Sequence, residues 1–450
     1  MLLEFYVSNY KSIKDTQSFS MIRSSKENYL KENFVTCNIS KIGDSEKCVD
    51  VLKTSAIYGA NASGKSNLIN AIFLIQNIII NSNKNQQGDL LPVEPFKLDE
   101  TYQNIPTTFK FVFIEQSVKY MYQVKMTQQS IKEETLYYYP KGRRSKVFER
   151  INNKIKIKFN SSQIDEREKI RQQIYAEYIA DNILFLSLAN KLNIEAIKNA
   201  FHWFSQKLLV IPDTRRLLNT TTPMLKDHII NEEKVLEFIK IADPLISKVN
   251  IETIDQNEDT DILNKKLKDF ILKISQNSNN TNNIQNISIT NKLSILKEKF
   301  YRYGLDKNGN ISNIEFTIQE ESRGTQKFYS LIGPLLNALK RGTILICDEL
   351  ETSLHPLLMQ AIIELFSSKE NINNAQLIIS THDINLMDKR NLFRKDQIWF
   401  VEKSITGESN VYSLSDFIDT PRKELSSKNY LKGKFGAIPN VDIWELINDL

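Results

Sequence analysis

Apolar positions recur along this chain with three different spacings, and each predicts a different kind of element. Residues 2 to 7 alternate between apolar and polar and read as a strand. Val51 to Tyr58 is a second strand-like run, closed by a glycine-rich turn, and a helix is expected after that turn. From Thr107 to Arg150, four segments rich in Phe, Tyr, Val and Ile (Thr108 to Ile114, Lys119 to Met126, Thr135 to Tyr139, Lys146 to Phe148) are parted by short polar breaks. That is the pattern of an antiparallel meander. From about Asp165 the spacing lengthens to three and four residues, at Ile170, Ile174 and Tyr178 and again at Ile194, Ile197, Phe201, Phe204 and Leu208, so residues 165 to 300 read as mostly helical. Within them, Ser275 to Asn291 is rich in Asn and Ser and is expected to be a solvated loop. After Tyr303 strands return at Thr343 to Cys347, Gln376 to Ser380 and Gln397 to Val401, alternating with helices over Lys327 to Leu339 and Pro356 to Ser367. Such alternation predicts buried parallel strands in an α/β fold.

Composition narrows the class. With 41% hydrophobic and 25% charged residues, the 450-residue chain is neither disordered nor fibrous. A net charge of +5 is too small to imply a nucleic-acid partner by itself. Three cysteines, Cys37, Cys48 and Cys347, lack CxxC or Cys/His spacing, which argues against a disulfide framework or a zinc site. Leu68 to Ile80 is the most apolar segment, and Asn70, Gln76 and Asn77 interrupt it, so no membrane span is expected. Glu4 in an N-terminus without a basic stretch argues against a secretory signal, and the expected location is the cytoplasm.

Glycine is scarce, 13 in all, so a cluster carries information. Gly59-Ala60-Asn61-Ala62-Ser63-Gly64-Lys65-Ser66 matches GxxxxGK[ST] and lies between an expected strand and an expected helix, the context that a phosphate-binding loop requires. Glycines let backbone N–H groups converge on phosphate oxygens, and a helix N-terminus adds partial positive charge. Gly59, Asn61, Ser63, Gly64, Lys65, Ser66 and the following Asn67 are therefore candidate nucleotide-binding residues. Lys65 would supply a point charge to the terminal phosphates, and Ser66 a hydroxyl ligand to Mg²⁺.

Thr343 to Cys347 followed by Asp348 and Glu349 reads as a central strand that delivers two carboxylates at its C-terminal edge. Asp348 is the second candidate Mg²⁺ ligand, and Glu349 the candidate for orienting and deprotonating an attacking water. The separation of the two motifs, 348 − 65 = 283 residues, is more than a compact P-loop domain needs, so a large insertion is expected between them.

Together with Glu321-Ser322-Arg323-Gly324-Thr325-Gln326 ahead of the acidic strand and Ser380-Thr381-His382-Asp383 after it, this order resembles the ABC-type ATPase heads of SMC, RecF and OLD-like proteins. The opening Phe5 to Ser12, Pro95 to Asp99, Ser353-Leu354-His355-Pro356, Asp396-Gln397-Ile398 and the closing Tyr430 to Pro439 extend the likeness over nearly the whole chain. They are most similar to ABC-like AAA ATPases of phage-defence operons, the AbiL/RloA kind, which includes the ATPase subunits of PARIS-type systems. The resemblance implies an ABC-type P-loop head in two halves, residues 1–150 and 301–450, around a mainly α-helical insertion at 151–300. It implies ATP and Mg²⁺ as cofactors, and Lys65, Glu349 and His382 as the catalytic set, with His382 at the γ-phosphate. Ser322 and Gly324 would cap the ATP of a second copy, and Lys11 and Ser12 would lie beside the nucleotide. The implied partners are a second copy of the chain in a homodimer or higher oligomer and a separate effector, a nuclease or toxin, with DNA or a phage protein as further candidate partners and no membrane. The alternative is a RecF-like, DNA-binding ATPase of repair or recombination.

Other residues carry plainer expectations. His355 before Pro356 suits a helix start, and Trp203 between Phe201 and Phe204 suits a packed core more than a base-stacking platform. Gly142 to Lys146 suits a solvated basic hairpin tip. No DxD follows Glu402, which argues against a nuclease domain at the C-terminal end.

Overall fold

A computed structural model describes residues 1–24, 29–42, 45–152, 154–157, 174, 178–192, 194–214, 220–254, 295–389, 391–417 and 427–439. The chain divides into two compact units, Met1–Arg216 with Leu335–Leu450, and Leu217–Pro334. In chain order the elements are β1 (Leu2–Ser8), β2 (Gln17–Ser20), β3 (Phe34–Ile42), β4 (Ser45–Leu52), β5 (Thr54–Tyr58), α1 (Lys65–Asn81), β6 (Thr107–Glu115), β7 (Val118–Met126), β8 (Ile131–Tyr138), β9 (Ser145–Ile151) and β10 (Lys154–Ile157). They continue with α2 (Phe185–Lys191), α3 (Glu195–His202), β11 (Leu208–Ile211), α4 (Thr221–Lys226), α5 (Glu232–Ala242), β12 (Ile246–Ile254), β13 (Ile295–Leu305), β14 (Ile311–Thr317) and α6 (Arg323–Arg341). The last are β15 (Ile344–Cys347), α7 (Pro356–Ser367), β16 (Gln376–Ser380), β17 (Ile398–Lys403), β18 (Ser409–Ser413) and α8 (Ser427–Leu431).

The first unit holds a six-stranded sheet in the order β11-β15-β16-β5-β17-β18, parallel apart from the β17–β18 hairpin. Every residue of β5, β15 and β16 is buried, as expected of parallel strands covered on both faces. Because β16 lies between β5 and β15, the ends of all three strands come side by side. The same unit holds an antiparallel sheet of seven strands, β10-β9-β8-β7-β6-β1-β2, in which β6 to β9 form the expected meander. One apolar cluster packs α1, the meander and the segment 184–210. Trp203 is fully buried in it and stacks on Phe113 with ring centroids 4.2 Å apart, so its ring is not available to a base. Trp203→Ala is expected to cost about 3–5 kcal/mol, read as a lower midpoint of chemical denaturation.

The helical spacing from Ile194 to Leu208 is only partly obeyed. Helix α3 passes into a π turn at Trp203–Lys207, and Leu208–Ile211 becomes β11, parallel to β15. Gln76 donates to the carbonyls of Phe204 at 2.8 Å and Leu208 at 2.6 Å, taking acceptors that a continuing helix would use. The run Val51 to Tyr58 likewise splits at Lys53 into β4 and β5. In the second unit α4 and α5 meet the helical expectation, but β12, β13 and β14 form a three-stranded antiparallel sheet. Their period of two, as in Val249 and Ile251, is short and bounded by polar residues, and cross-strand pairing decides it. Residues 151–216 thus belong with the first unit, and 301–334 with the second. The Asn-rich stretch from Ser275 to Asn291 and Ile170 lie outside the described residues.

Candidate functional site

The loop from Gly59 to Gly64 connects β5 to α1, so the end of a buried strand is carried directly to a helix N-terminus. Gly59 (φ 157°) and Gly64 (φ 114°) have positive φ, and neither has room for a side chain. A Cβ on Gly59 would stand 2.3 Å from the Val401 carbonyl oxygen, and one on Gly64 would stand 2.2 Å from Ser409 Oγ and 3.0 Å from Ser12 Oγ. Ser409 Oγ donates to the Ser63 carbonyl at 2.6 Å and lies 2.7 Å from Ser12 Oγ, which also accepts from the Asn67 amide at 2.7 Å. Ser12, Asn67 and the start of β18 thereby brace the loop. Gly64→Ala is expected to distort this brace, at a cost on the order of 1–3 kcal/mol, measurable as a loss of affinity of roughly fivefold to a hundredfold or more in a fluorescent-ATP titration.

Lys65 opens α1 and is buried. Its Nζ donates to the carbonyls of Gly59 at 2.9 Å and Ala60 at 3.0 Å. Burial lowers its pKa from the ordinary 10.5, and Asp348, Glu349 and Glu351 work against that shift. Ser63 Oγ is buried without a hydrogen-bond partner, whereas Asn61 and Ser66 are exposed. An unpartnered hydroxyl and a lysine ammonium in a cradle that only glycine can line fit a phosphate chain. Lys11, with φ 51°, is tied to Glu94 through its backbone N–H (2.8 Å) and, at 3.8 Å, its Nζ.

The two acids sit where β15 ends. Asp348 is buried, and the Ser380 hydroxyl donates to its Oδ1. The same Ser380 Oγ accepts the Glu349 N–H at 2.9 Å. Glu349 has φ 47°, a left-handed conformation that costs a non-glycine residue on the order of 1–2 kcal/mol, and its side chain is half exposed. His382, two residues beyond Ser380, places Nε2 4.0 Å from Glu349 Oε1. Burial, followed by the Lys65 charge, holds the imidazole pKa below the ordinary 6.5, against the opposing pull of Glu349 and Asp348. Among the described residues no group of three or more His, Cys, Asp or Glu could cage a metal. Asp348 offers one carboxylate and Ser66 one exposed hydroxyl, donors that would fit a Mg²⁺ ion taking its remaining ligands from water and phosphate.

The structure therefore brings the loop residues together with Ser12, Asp348, Glu349 and His382 in one unit. Ser322 and Gly324 belong to the second unit. Ser322 Oγ accepts the Thr325 N–H at 3.1 Å at the start of α6, as an N-cap does. The preceding Glu321 is buried and paired with Arg302, which also binds Asp243 and whose pKa rises on account of these partners, Glu321 foremost. His355 N-caps α7, its Nδ1 accepting the Leu357 N–H at 3.2 Å.

Three contacts of the site are not marked in the sequence: the Ser409 brace of the loop, the Ser380 hydroxyl as the link between the acids, and the bond in which Glu351 accepts the His382 N–H at 2.6 Å. The closing segment also reaches the site. Tyr430 Oη donates to the Ala437 carbonyl at 2.8 Å, the Ala437 N–H donates to Glu402 at 3.2 Å, and a cavity of about 710 Å³ runs from this loop to Gly59, Asn61 and His382.

Residues 55–388 match the family model described as "AAA domain, putative AbiEii toxin, Type IV TA system". No curated protein matches the chain. Among solved structures it is similar to an Smc head bound to the C-winged helix domain of ScpA, with 13% identity and a TM-score of 0.42 over 92% of this chain and 97% of that one. It is also similar to the SMC head domain from Thermotoga maritima, with 13% identity and a TM-score of 0.38 over 92% and 98%. The fold is an α/β P-loop arrangement of the kind an AAA domain has, with the phosphate loop after β5, the acids after β15 and β16 between those two strands.

Proposed function

The chain belongs to this AAA-domain family, and from that premise we propose that it is an ATP-hydrolysing regulatory subunit of an antiviral defence system, acting in the cytoplasm on a separate effector. The observation that carries the proposal is the junction of Asp348, Ser380, Glu349 and His382 beside Lys65. Phosphoryl transfer needs positioned charge more than covalent help, and this junction supplies it.

The backbone N–H groups from Asn61 to Lys65 and the Lys65 ammonium would bind the terminal phosphates, and the exposed Ser66 hydroxyl and Asp348 would hold Mg²⁺. When bound, that ion neutralises charge building up on the phosphates. Glu349 takes a proton from the attacking water while its backbone stays anchored to Ser380. His382 faces Glu349 and donates a ring N–H to a γ-phosphate oxygen, which leaves Glu349 as the group that meets the water. Ser12 and Lys11 border the nucleotide. Ser322 and Gly324 at the α6 N-terminus close over the ATP of a second copy, so that two chains enclose two nucleotides about a two-fold axis. ATP then biases this assembly between states that hold or release the effector.

Capture of the tagged chain from its native cells, with Lys65→Ala as the nucleotide-free comparison, is expected to co-purify a second protein in one nucleotide state alone. Salt-sensitive, ATP-dependent binding of duplex DNA with no protein partner would instead favour a RecF-like clamp.

A further inference from the structure

Two cross-braces join the acidic loop to the switch segment, and only one of them involves the acids already assigned. The first is Ser380 between Asp348 and the Glu349 N–H. The second is Glu351, whose Oε1 accepts the backbone N–H of His382 across 31 residues of sequence. Glu351 Oε2 is buried and has no hydrogen-bond partner. A buried, unpaired carboxylate oxygen costs about 1–3 kcal/mol or more, so this side chain is a poor choice for stability alone. Burial raises its pKa above the ordinary 4.5, the hydrogen bonds from His382 and Thr381 notwithstanding.

We infer that Glu351 is a positioning residue for ATP hydrolysis, which fixes the switch backbone so that the His382 ring stays opposite Glu349. The inference rests on the ATPase reading above. Braces at Ser380 and His382 lie on either side of Thr381, so the turn after β16 cannot rotate without breaking one of them. With the Glu351 brace gone, the His382 backbone loses its link to the acidic loop; Thr381 and Asp383 stay tied to β5 through the Ile57 carbonyl (3.0 Å) and the Tyr58 hydroxyl (3.4 Å), but the His382 peptide between them can tilt and take Nε2 away from its 4.0 Å separation from Glu349. An error of about 1 Å in a reacting constellation costs up to a hundredfold in rate. ATP affinity changes little, because the P-loop makes no use of this bond.

The test compares steady-state ATP turnover with Mg²⁺ and thermal melting in the full chain and in Glu351→Ala and Glu351→Gln. In Glu351→Gln the amide oxygen still accepts the His382 N–H, so kcat is expected within about threefold of the parent. In Glu351→Ala kcat is expected to fall roughly tenfold to a hundredfold, with KM within about threefold and the melting temperature unchanged or raised. Unchanged turnover in Glu351→Ala, equal loss in both variants, or failure of Glu351→Ala to fold would each overturn the inference. Absence of turnover in the parent chain would overturn the ATPase reading as well, which separates the two failures.

Discussion

Glu349→Gln is expected to slow ATP turnover by a factor on the order of 10² to 10⁴, the usual contribution of a positioned general base, while ATP affinity is kept or increased. The expectation follows from how the residue is held. Its left-handed backbone is fixed by the Glu349 N–H to Ser380 and by the Thr214 hydroxyl, which donates to the Glu349 carbonyl at 3.3 Å. None of these contacts uses the carboxylate, so the amide fits the same space without disturbing the turn. What disappears is the proton acceptor alone. Single-turnover assays should therefore show ATP bound and uncleaved for minutes where the parent chain has released phosphate. Turnover within threefold of the parent would remove Glu349 from the mechanism.

Lys65→Ala acts one step earlier. In the free chain the ammonium is buried and donates to the Gly59 and Ala60 carbonyls, a geometry that keeps it within the loop and ready to exchange those acceptors for phosphate oxygens. Removing the cation that meets a phosphate costs about 2–4 kcal/mol of affinity, or roughly thirtyfold to a thousandfold in Kd, and turnover should fall below detection at ordinary ATP concentrations. Apo stability should change little, because the burial cost of the charge offsets its two hydrogen bonds. A near-normal melting temperature with lost ATP binding would thus report on the site itself. Retained binding would mean that the loop grips phosphate through backbone and helix dipole without its lysine.

The parts of the site that were legible in the sequence are those whose chemistry is local. A phosphate loop must place glycines where φ is positive and a lysine at the first helical residue, so Gly59, Gly64 and Lys65 announce it within seven positions. The apolar run that ends in Asp348 and Glu349 is equally local: β15 is apolar throughout, and β5 and β16, buried at every residue, carry their polar residues only towards their ends. Braces between distant segments were not legible. Ser409 meets the Ser63 carbonyl across 346 residues, and Glu351 meets His382 only because β16 inserts between β5 and β15. A serine such as Ser409 looks like any polar loop residue, and for Glu351 the sequence gives a position after the acids but not the His382 N–H it meets. The strand at Leu208–Ile211 was hidden for a similar reason, since its helical spacing is real and the edge of β15 overrides it.

The central claim is that one chain carries half of a composite ATP site. Its most direct test is the molar mass of the Glu349→Gln chain, measured by light scattering with and without ATP and Mg²⁺. The mass is expected to double when ATP is added, and to stay at the monomer value for Lys65→Ala and for the same chain with ADP. A mass that ignores ATP while the nucleotide is demonstrably bound, whether monomeric or dimeric throughout, would contradict it.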